Sequence, residues 1–168
     1  MPERAPLPAD YAPSSEAWVR DEVEHYERTG AAWGGRPVVV LRTRGRCTGL
    51  LRKTPLMRVE HRGAYAAVAS RAGADRDPAW YRNVLADPHV ELQDGGVVHA
   101  LTARELDGAE RAAWWSRACT VFPSYADYRS RTRRRIPVLL LEPRCGAPHS
   151  GEGWTTPDCG GPDGRPHP

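Results

Sequence analysis

Three short stretches of this 168-residue chain carry side chains able to grip a charged, planar ligand and move a proton on it. The first is Gly45-Arg46-Cys47-Thr48-Gly49, followed by Leu50, Leu51 and Arg52. A loop between glycines exposes backbone amides, Thr48 adds a hydroxyl, and Arg46 and Arg52 flank it with planar forks that match phosphate oxygens. The second runs from Ala67-Val68-Ala69 through Ser70-Arg71-Ala72-Gly73 to Asp77-Pro78-Ala79-Trp80-Tyr81-Arg82-Asn83. It places a hydroxyl, a cation and flexible backbone at the mouth of a helix, where partial positive charge favours an anion. The third is Phe122, Tyr125 and Tyr128, whose spacing of three puts rings together on one side of a helix, able to stack on a planar substrate and donate a proton. Each has a plainer explanation: a polar hairpin loop, a simple turn before a helix, and a core stripe.

The elements that position these stretches follow from periodicity and punctuation. Glu16 to Thr29 reads as a helix capped by Ser14 or Ser15, with Trp18, Val19, Val23 and Tyr26 on one stripe and Gly30 as its stop. Val38 to Arg42 and Leu51 to Val59 make a hairpin across the 45–49 loop, and His61-Arg62-Gly63 turns the chain into a buried strand, Tyr65 to Ala69. Asp77 caps the next helix, begun by Pro78 and ending near Ala86. A second hairpin, His89 to Gln93 and Val97 to Leu106, turns at Asp94-Gly95-Gly96. Gly108 to Thr120 is a helix with Ala112, Trp115 and Cys119 in phase; Pro123 interrupts it, Tyr125 to Thr132 forms another, and Ile136 to Leu141 is an apolar central strand. Six or so mainly antiparallel strands with helices outside them predict an α+β closed or split barrel, one domain over 14–143. A loose N-terminus, 1–13, precedes it, and Arg144 to Pro168, rich in Gly, Pro and Asp, reads as disordered.

The loop 45–49, the strand Leu51 to Met57, Asp77 to Asn83, Phe122-Pro123-Ser124-Tyr125-Ala126-Asp127-Tyr128 and Arg135-Ile136-Pro137-Val138 stand in an order and spacing that resembles the deazaflavin-dependent nitroreductase family of actinobacteria, from about Val38 to Pro143. The resemblance implies an antiparallel split β-barrel of FMN-binding type, an oxidoreductase using coenzyme F420 (8-hydroxy-5-deazaflavin), and a quinone, nitroaromatic or enone as electron acceptor. It implies that the stretch Arg46, Cys47, Thr48, Gly49, Leu50, Leu51 and Arg52 holds the phosphate of the coenzyme tail, and that Ala67, Val68, Ala69, Ser70, Arg71, Ala79, Trp80, Tyr81 and Asn83 line the deazaflavin ring. Small residues at 67 and 69 suit a face that must deliver hydride, and Trp80 offers an apolar wall. The resemblance further implies that Tyr125 also touches the coenzyme and works beside Ser70, with Tyr128, as the proton-donating group, and that Phe122, Tyr125 and Tyr128 cap the acceptor. The chain departs from the family where Cys47 replaces a lysine, Leu50 a basic or polar residue, Arg71 a lysine and Phe122 a tyrosine. An FMN-dependent barrel and a non-catalytic carrier of the coenzyme are the alternatives.

Composition narrows the partners. Net charge is +3, and Lys53 is the single lysine. Five arginines between Arg129 and Arg135 form a short cationic run, a solvated helix face or a guide for the coenzyme's acidic tail, but with aromatics at 8% the chain lacks the basic, aromatic surface of a nucleic-acid binder. No apolar run approaches the roughly 20 residues that span a bilayer, and the start of the sequence has no secretory pattern, so a cytoplasmic protein without stable membrane insertion is expected, with a homodimer open. The four cysteines match no metal spacing and are expected as free thiols; Cys145, His149, Cys159 and His167 are a poor metal set.

Overall fold

The computed structural model describes residues 9–144. Helix α1 spans Ala17–Thr29, and its cap position is Glu16 rather than either serine, although Ser14 Oγ accepts the Glu16 amide at 3.1 Å. Gly30 ends it at φ 72°, returning its amide to the Tyr26 carbonyl at 2.7 Å. Val19, Val23 and Tyr26 bury the predicted stripe, but Trp18 stands at its edge, 63% exposed, its indole N–H donating to Glu16.

Seven strands form one antiparallel sheet: β1 Val38–Arg44, β2 Leu51–Met57, β3 Glu60–His61, β4 Ala64–Val68, β5 His89–Asp94, β6 Val97–Glu105 and β7 Val138–Pro143. Their order is β2-β1-β5-β6-β7-β4-β3, which places β7 inside the sheet as its continuous apolar run predicts. The short β3 is the addition to the expected set; Arg62 and Gly63, at φ 49° and 79°, make a tight left-handed turn that lets Glu60 and His61 pair with Tyr65 and Ala64. Adjacent residues then show why the sheet must curl. The Arg58 amide still donates to Pro37 at 2.8 Å, beside β1, whereas the Val59 carbonyl accepts Ala66 of β4 at 2.8 Å. Two consecutive residues thus reach two distant parts of the strand order, and the sheet closes into a split barrel. Pro55 lies on β2, an edge strand, where its missing amide removes no ladder bond.

Period-two alternation divides the core. Val39, Leu41, Leu139 and Leu141 fill one cluster together with Trp80 and Val84 of helix α2, Ala79–Ala86. Val138 and Leu140 face the other way, onto Trp114 and Ala118 of α3, Gly108–Val121, and Tyr125 of α4, Ser124–Arg131. Helix α1 covers Val38 and Val40 from a third cluster. Three expectations are corrected here. Helix α3 is turned by one residue, burying Trp114 and Ala118 instead of Ala112, Trp115 and Cys119; Trp115 sits half-buried under the guanidinium groups of Arg111 and Arg129. Pro78, not Asp77, holds the cap position of α2, because the Asp77 carboxylate is taken by Arg134 at 2.8 Å. The start of the chain is tied down where it is described: Tyr11 bridges to Leu51, and the Leu51 amide donates to Asp10 at 2.7 Å. Arg144 is likewise fastened, donating to the carbonyls of Leu101 and Val90, while the rest of the expected disordered tail, with Cys145, His149, Cys159 and His167, lies outside the described residues.

Candidate active site

Where the barrel is split, a cavity of about 840 Å³ opens between the start of α1, β2, the loop after β4, and helices α2 and α4. All three chemistry-bearing stretches reach it. Arg46, Cys47, Thr48 and Arg52 line it from the loop before β2 and from β2; Val68, Ser70, Arg71, Ala79, Trp80 and Asn83 line it from β4, the turn after it and α2; Phe122, Tyr125 and Tyr128 line it from α4 and the residues just before it. Trp80 belongs both to the core and to this wall, so its two readings are compatible.

Other predicted residues lie elsewhere. Ala67 and Ala69 belong to the barrel-interior cluster, on the opposite side of β4 from Val68, because alternate residues of a strand face alternate sides. Tyr81, one helical step past Trp80, is buried in that same cluster and donates its hydroxyl to Glu105 at 2.7 Å. Gly49, Leu50 and Leu51 are not on the cavity: Gly49 and Leu50 are exposed at the outer end of the loop, and Leu51 pairs with Arg44. Sequence reasoning missed the contribution of α1. Ser14, Trp18, Val19 and Glu22 line the cavity, and Glu22, a carboxylate only 5% exposed on the apolar stripe, was the readable signal. It accepts Arg36 at 3.1 Å and the Trp33 amide at 3.3 Å.

The loop at 45–49 is held from behind. Asn83, 8% exposed, accepts the Arg46 amide at 3.1 Å and donates to Thr43 Oγ1 at 3.3 Å. Arg52 is partly engaged, donating to the carbonyls of Ala12 and Pro13 at 3.2 and 3.3 Å. The turn after β4 is the most constrained backbone of the site. Arg71, Ala72 and Gly73 follow one another at φ 44°, 53° and 81°, two of them non-glycine residues in the left-handed region. Gly73 is also required sterically, since a Cβ there would meet the Tyr128 carbonyl at 3.0 Å and its Cα at 3.2 Å. The turn is thereby packed against α4, which carries both tyrosines.

Tyr125 is 5% exposed, ringed by Phe122 at 5.2 Å edge-to-face, Tyr128 at 6.3 Å and Trp115 at 6.3 Å. Burial among these rings pushes its phenol well above the ordinary tyrosine range, so it keeps its proton throughout the neutral range. Cys47 is an exposed free thiol. The arginine run is not a uniform free face. Arg134 is half-buried and engaged with the 69–77 turn, Arg135 donates to the Leu106 carbonyl, and none of Arg129 to Arg135 lines the cavity. Among the described residues no group of acids, histidines and cysteines could hold a metal, and no helix is long and apolar enough to cross a membrane.

Comparison with known proteins places this geometry. The F420H(2)-dependent quinone reductase family matches residues 18–143. An F420H(2)-dependent quinone reductase of Mycobacterium tuberculosis is 35% identical over 114 residues, covering 66% of this chain and 76% of that protein. The solved structure of an F420-H2 dependent reductase is 49% identical with a TM-score of 0.61, covering 64% of this chain and 95% of that one. A second solved structure, described as a domain-swapped dimer, is 44% identical with a TM-score of 0.62 over 77% of this chain and all of that one. The family match extends over all the cavity's β strands and helices from Trp18 onward, and the chain belongs to the F420H(2)-dependent quinone reductase family.

Proposed function

We propose that this chain passes a hydride from a reduced deazaflavin coenzyme to a quinone, or to a nitroaromatic or enone of similar size and flatness. The observation that carries this reading is the single cavity joining the Arg46 loop, the Ser70 turn and Tyr125. The residues present suit the coenzyme. Arg46 and Arg52 supply cationic forks for an acidic tail, Trp80, Val68 and Leu56 supply apolar walls for a flat ring, and the turn at Ser70 supplies polar contacts at the edge.

When bound, the coenzyme supplies the hydride, from C5 of its reduced ring. The chain's own residues bind, orient and protonate. Trp80 and the start of α2 would hold the ring, and Phe122 and Tyr128 of the α4 region would flank the acceptor. The Tyr125 hydroxyl makes no hydrogen bond to a described residue, and its raised affinity for the proton keeps it a donor at neutral pH. It gives that proton to an acceptor oxygen as hydride arrives, so a quinone takes up one hydride and one proton and leaves as hydroquinone; solvent reprotonates the phenolate. Ser70, 8% exposed, lies on the same cavity and orients the acceptor oxygen through its hydroxyl. Cys47, where the family carries lysine, removes one cation from the tail end and leaves Arg46 and Arg52 to hold it.

The test is to titrate the purified protein with oxidised deazaflavin coenzyme and with FMN by fluorescence quenching, then to follow oxidation of the reduced deazaflavin with and without menadione. Quenching by the deazaflavin and menadione-dependent oxidation are expected. Quenching by FMN alone would overturn the cofactor assignment, and binding without turnover would leave a carrier.

A further inference from the structure

Arg134 lies outside the cavity, yet its guanidinium makes four contacts with the cavity's most constrained turn. It donates to the carbonyls of Ala69 at 3.0 Å, Ser70 at 2.9 Å and Ala74 at 2.7 Å, and pairs with Asp77 at 2.8 Å. The side chain is 14% exposed, and the contacts span 57 to 65 positions of sequence. A planar trans peptide points its carbonyl and the following amide in opposite directions. Holding the Ala69 and Ser70 carbonyls therefore turns the amides of Ser70 and Arg71 away from Arg134. Those two amides donate to no described residue, and Ser70 and Arg71 both line the cavity. Two peptides whose carbonyls touch a cation also have more strongly polarised N–H groups.

The positive-φ run explains why such a clamp is needed. Arg71 and Ala72 sit where side-chain-bearing residues rarely rest, and each such residue relaxes unless its surroundings fix it. Gly73 against Tyr128 fixes one side of the turn, and Arg134 fixes the other.

We propose that Arg134 is a positioning residue: it holds the Ser70–Ala72 turn in its left-handed form with the Ser70 and Arg71 amides presented to the cavity as a donor pair for a carbonyl or anionic edge of the bound ring. This assignment rests on the deazaflavin reading for the identity of the ligand, but not for the orientation of the amides. It also separates Arg134 from its neighbour Arg133, which is exposed and shares none of these contacts. Lysine at 134 keeps the charge and cannot reach four acceptors spread around a planar fork.

Arg134→Lys and the control Arg133→Gln are compared with the unaltered chain in three measurements: far-UV circular dichroism with thermal melting, amide chemical shifts of Ser70 and Arg71 without ligand, and titration with oxidised deazaflavin coenzyme. In folded Arg134→Lys the two amide signals move or broaden selectively, the dissociation constant rises tenfold or more, and the absorption band of the bound chromophore shifts back toward that of the free one. Arg133→Gln changes none of these. Unmoved amide signals in Arg134→Lys, or coenzyme binding within twofold of the parent with an unchanged bound spectrum, would overturn the proposal. If the parent binds no deazaflavin while the Arg134→Lys amide signals still move, the functional reading fails and the orienting role of Arg134 stands. Should Arg134→Lys melt too low to study, Asp77→Asn, which leaves the three carbonyl contacts in place, is expected to keep the amide signals and affinity; their loss would count against the carbonyl clamp.

Discussion

The side-chain oxygen of Asn83 accepts the backbone amide of Arg46 at 3.1 Å, linking helix α2 to the loop at the cationic end of the cavity. Because its amide nitrogen also donates to Thr43, one buried side chain sets the distance between strand, loop and helix. Asn83→Ala removes both bonds and leaves the Thr43 hydroxyl and the Arg46 amide short of partners. A loss of about 1–3 kcal/mol in denaturant unfolding is expected, with weaker coenzyme binding measured by quenching. Binding unchanged in the folded variant would show that the loop does not need this tether.

Tyr125→Phe keeps the ring and its packing against Phe122 and removes only the hydroxyl. If the phenol donates the proton, kcat with menadione falls by about 10²–10⁴ while the coenzyme dissociation constant stays within twofold. Ser70→Ala lowers kcat less, since its hydroxyl orients rather than protonates. A Tyr125→Phe enzyme with parental kcat would assign the proton to solvent.

Gly73→Ala introduces a Cβ that meets backbone of Tyr128 and the Arg131 side chain at a φ of 81°. Steric contact with helix backbone and left-handed strain act together, and a cost of about 1–3 kcal/mol is expected from the strain alone. The variant should melt lower and lose activity out of proportion to its residual fold, because the turn and α4 would part. Equal activity per folded molecule would place the turn outside the working site.

Alkaline pH should unfold this protein through its buried phenols. Burial, reinforced by the Glu105 acceptor, pushes Tyr81 up to about 12, and burial likewise raises Tyr26, Tyr65 and Tyr125. An unfolded chain loses phenol protons near pH 10, where the folded one still holds them, so the unfolded state binds fewer protons and stability falls as pH rises. Melting temperature should be nearly flat below about pH 9.5 and drop steeply between about 10 and 12. Tyr81→Phe, which removes one such group, should soften that drop.

Much of the barrel was legible because strong local signals agreed with one another. Gly30 stops α1, the Gly95-Gly96 turn joins β5 to β6, and the apolar run of β7 marks a strand buried on both faces. What misled was one-residue phase. Trp114 and Trp115 are neighbours of equal apolarity, and only the position of α3 over β4 and β7 decides which is buried. The same parity carried Ala67 and Ala69 away from the cavity that Val68 reaches. Asp77 has the right type and place for a helix cap, but a guanidinium 57 positions later competes for its carboxylate, and no local pattern reports that. The role of α1 in the cavity was hidden because an amphipathic stripe looks alike whether it covers a sheet or borders a pocket; Glu22 was the residue that broke the pattern.

Lys53 is the single lysine of the sequence, and its ammonium is shut beneath helix α1, 2.6 Å from Glu27 and 4.4 Å from the centre of the Tyr11 ring. With its side chain only 7% exposed, it is closed to acylating reagents, cross-linkers and lysine-specific proteases while the helix is docked. A molecule otherwise rich in arginine therefore carries a built-in reporter: amine modification at this position counts the moments when α1 lifts from the sheet and uncovers the part of the cavity that Lys53 lines.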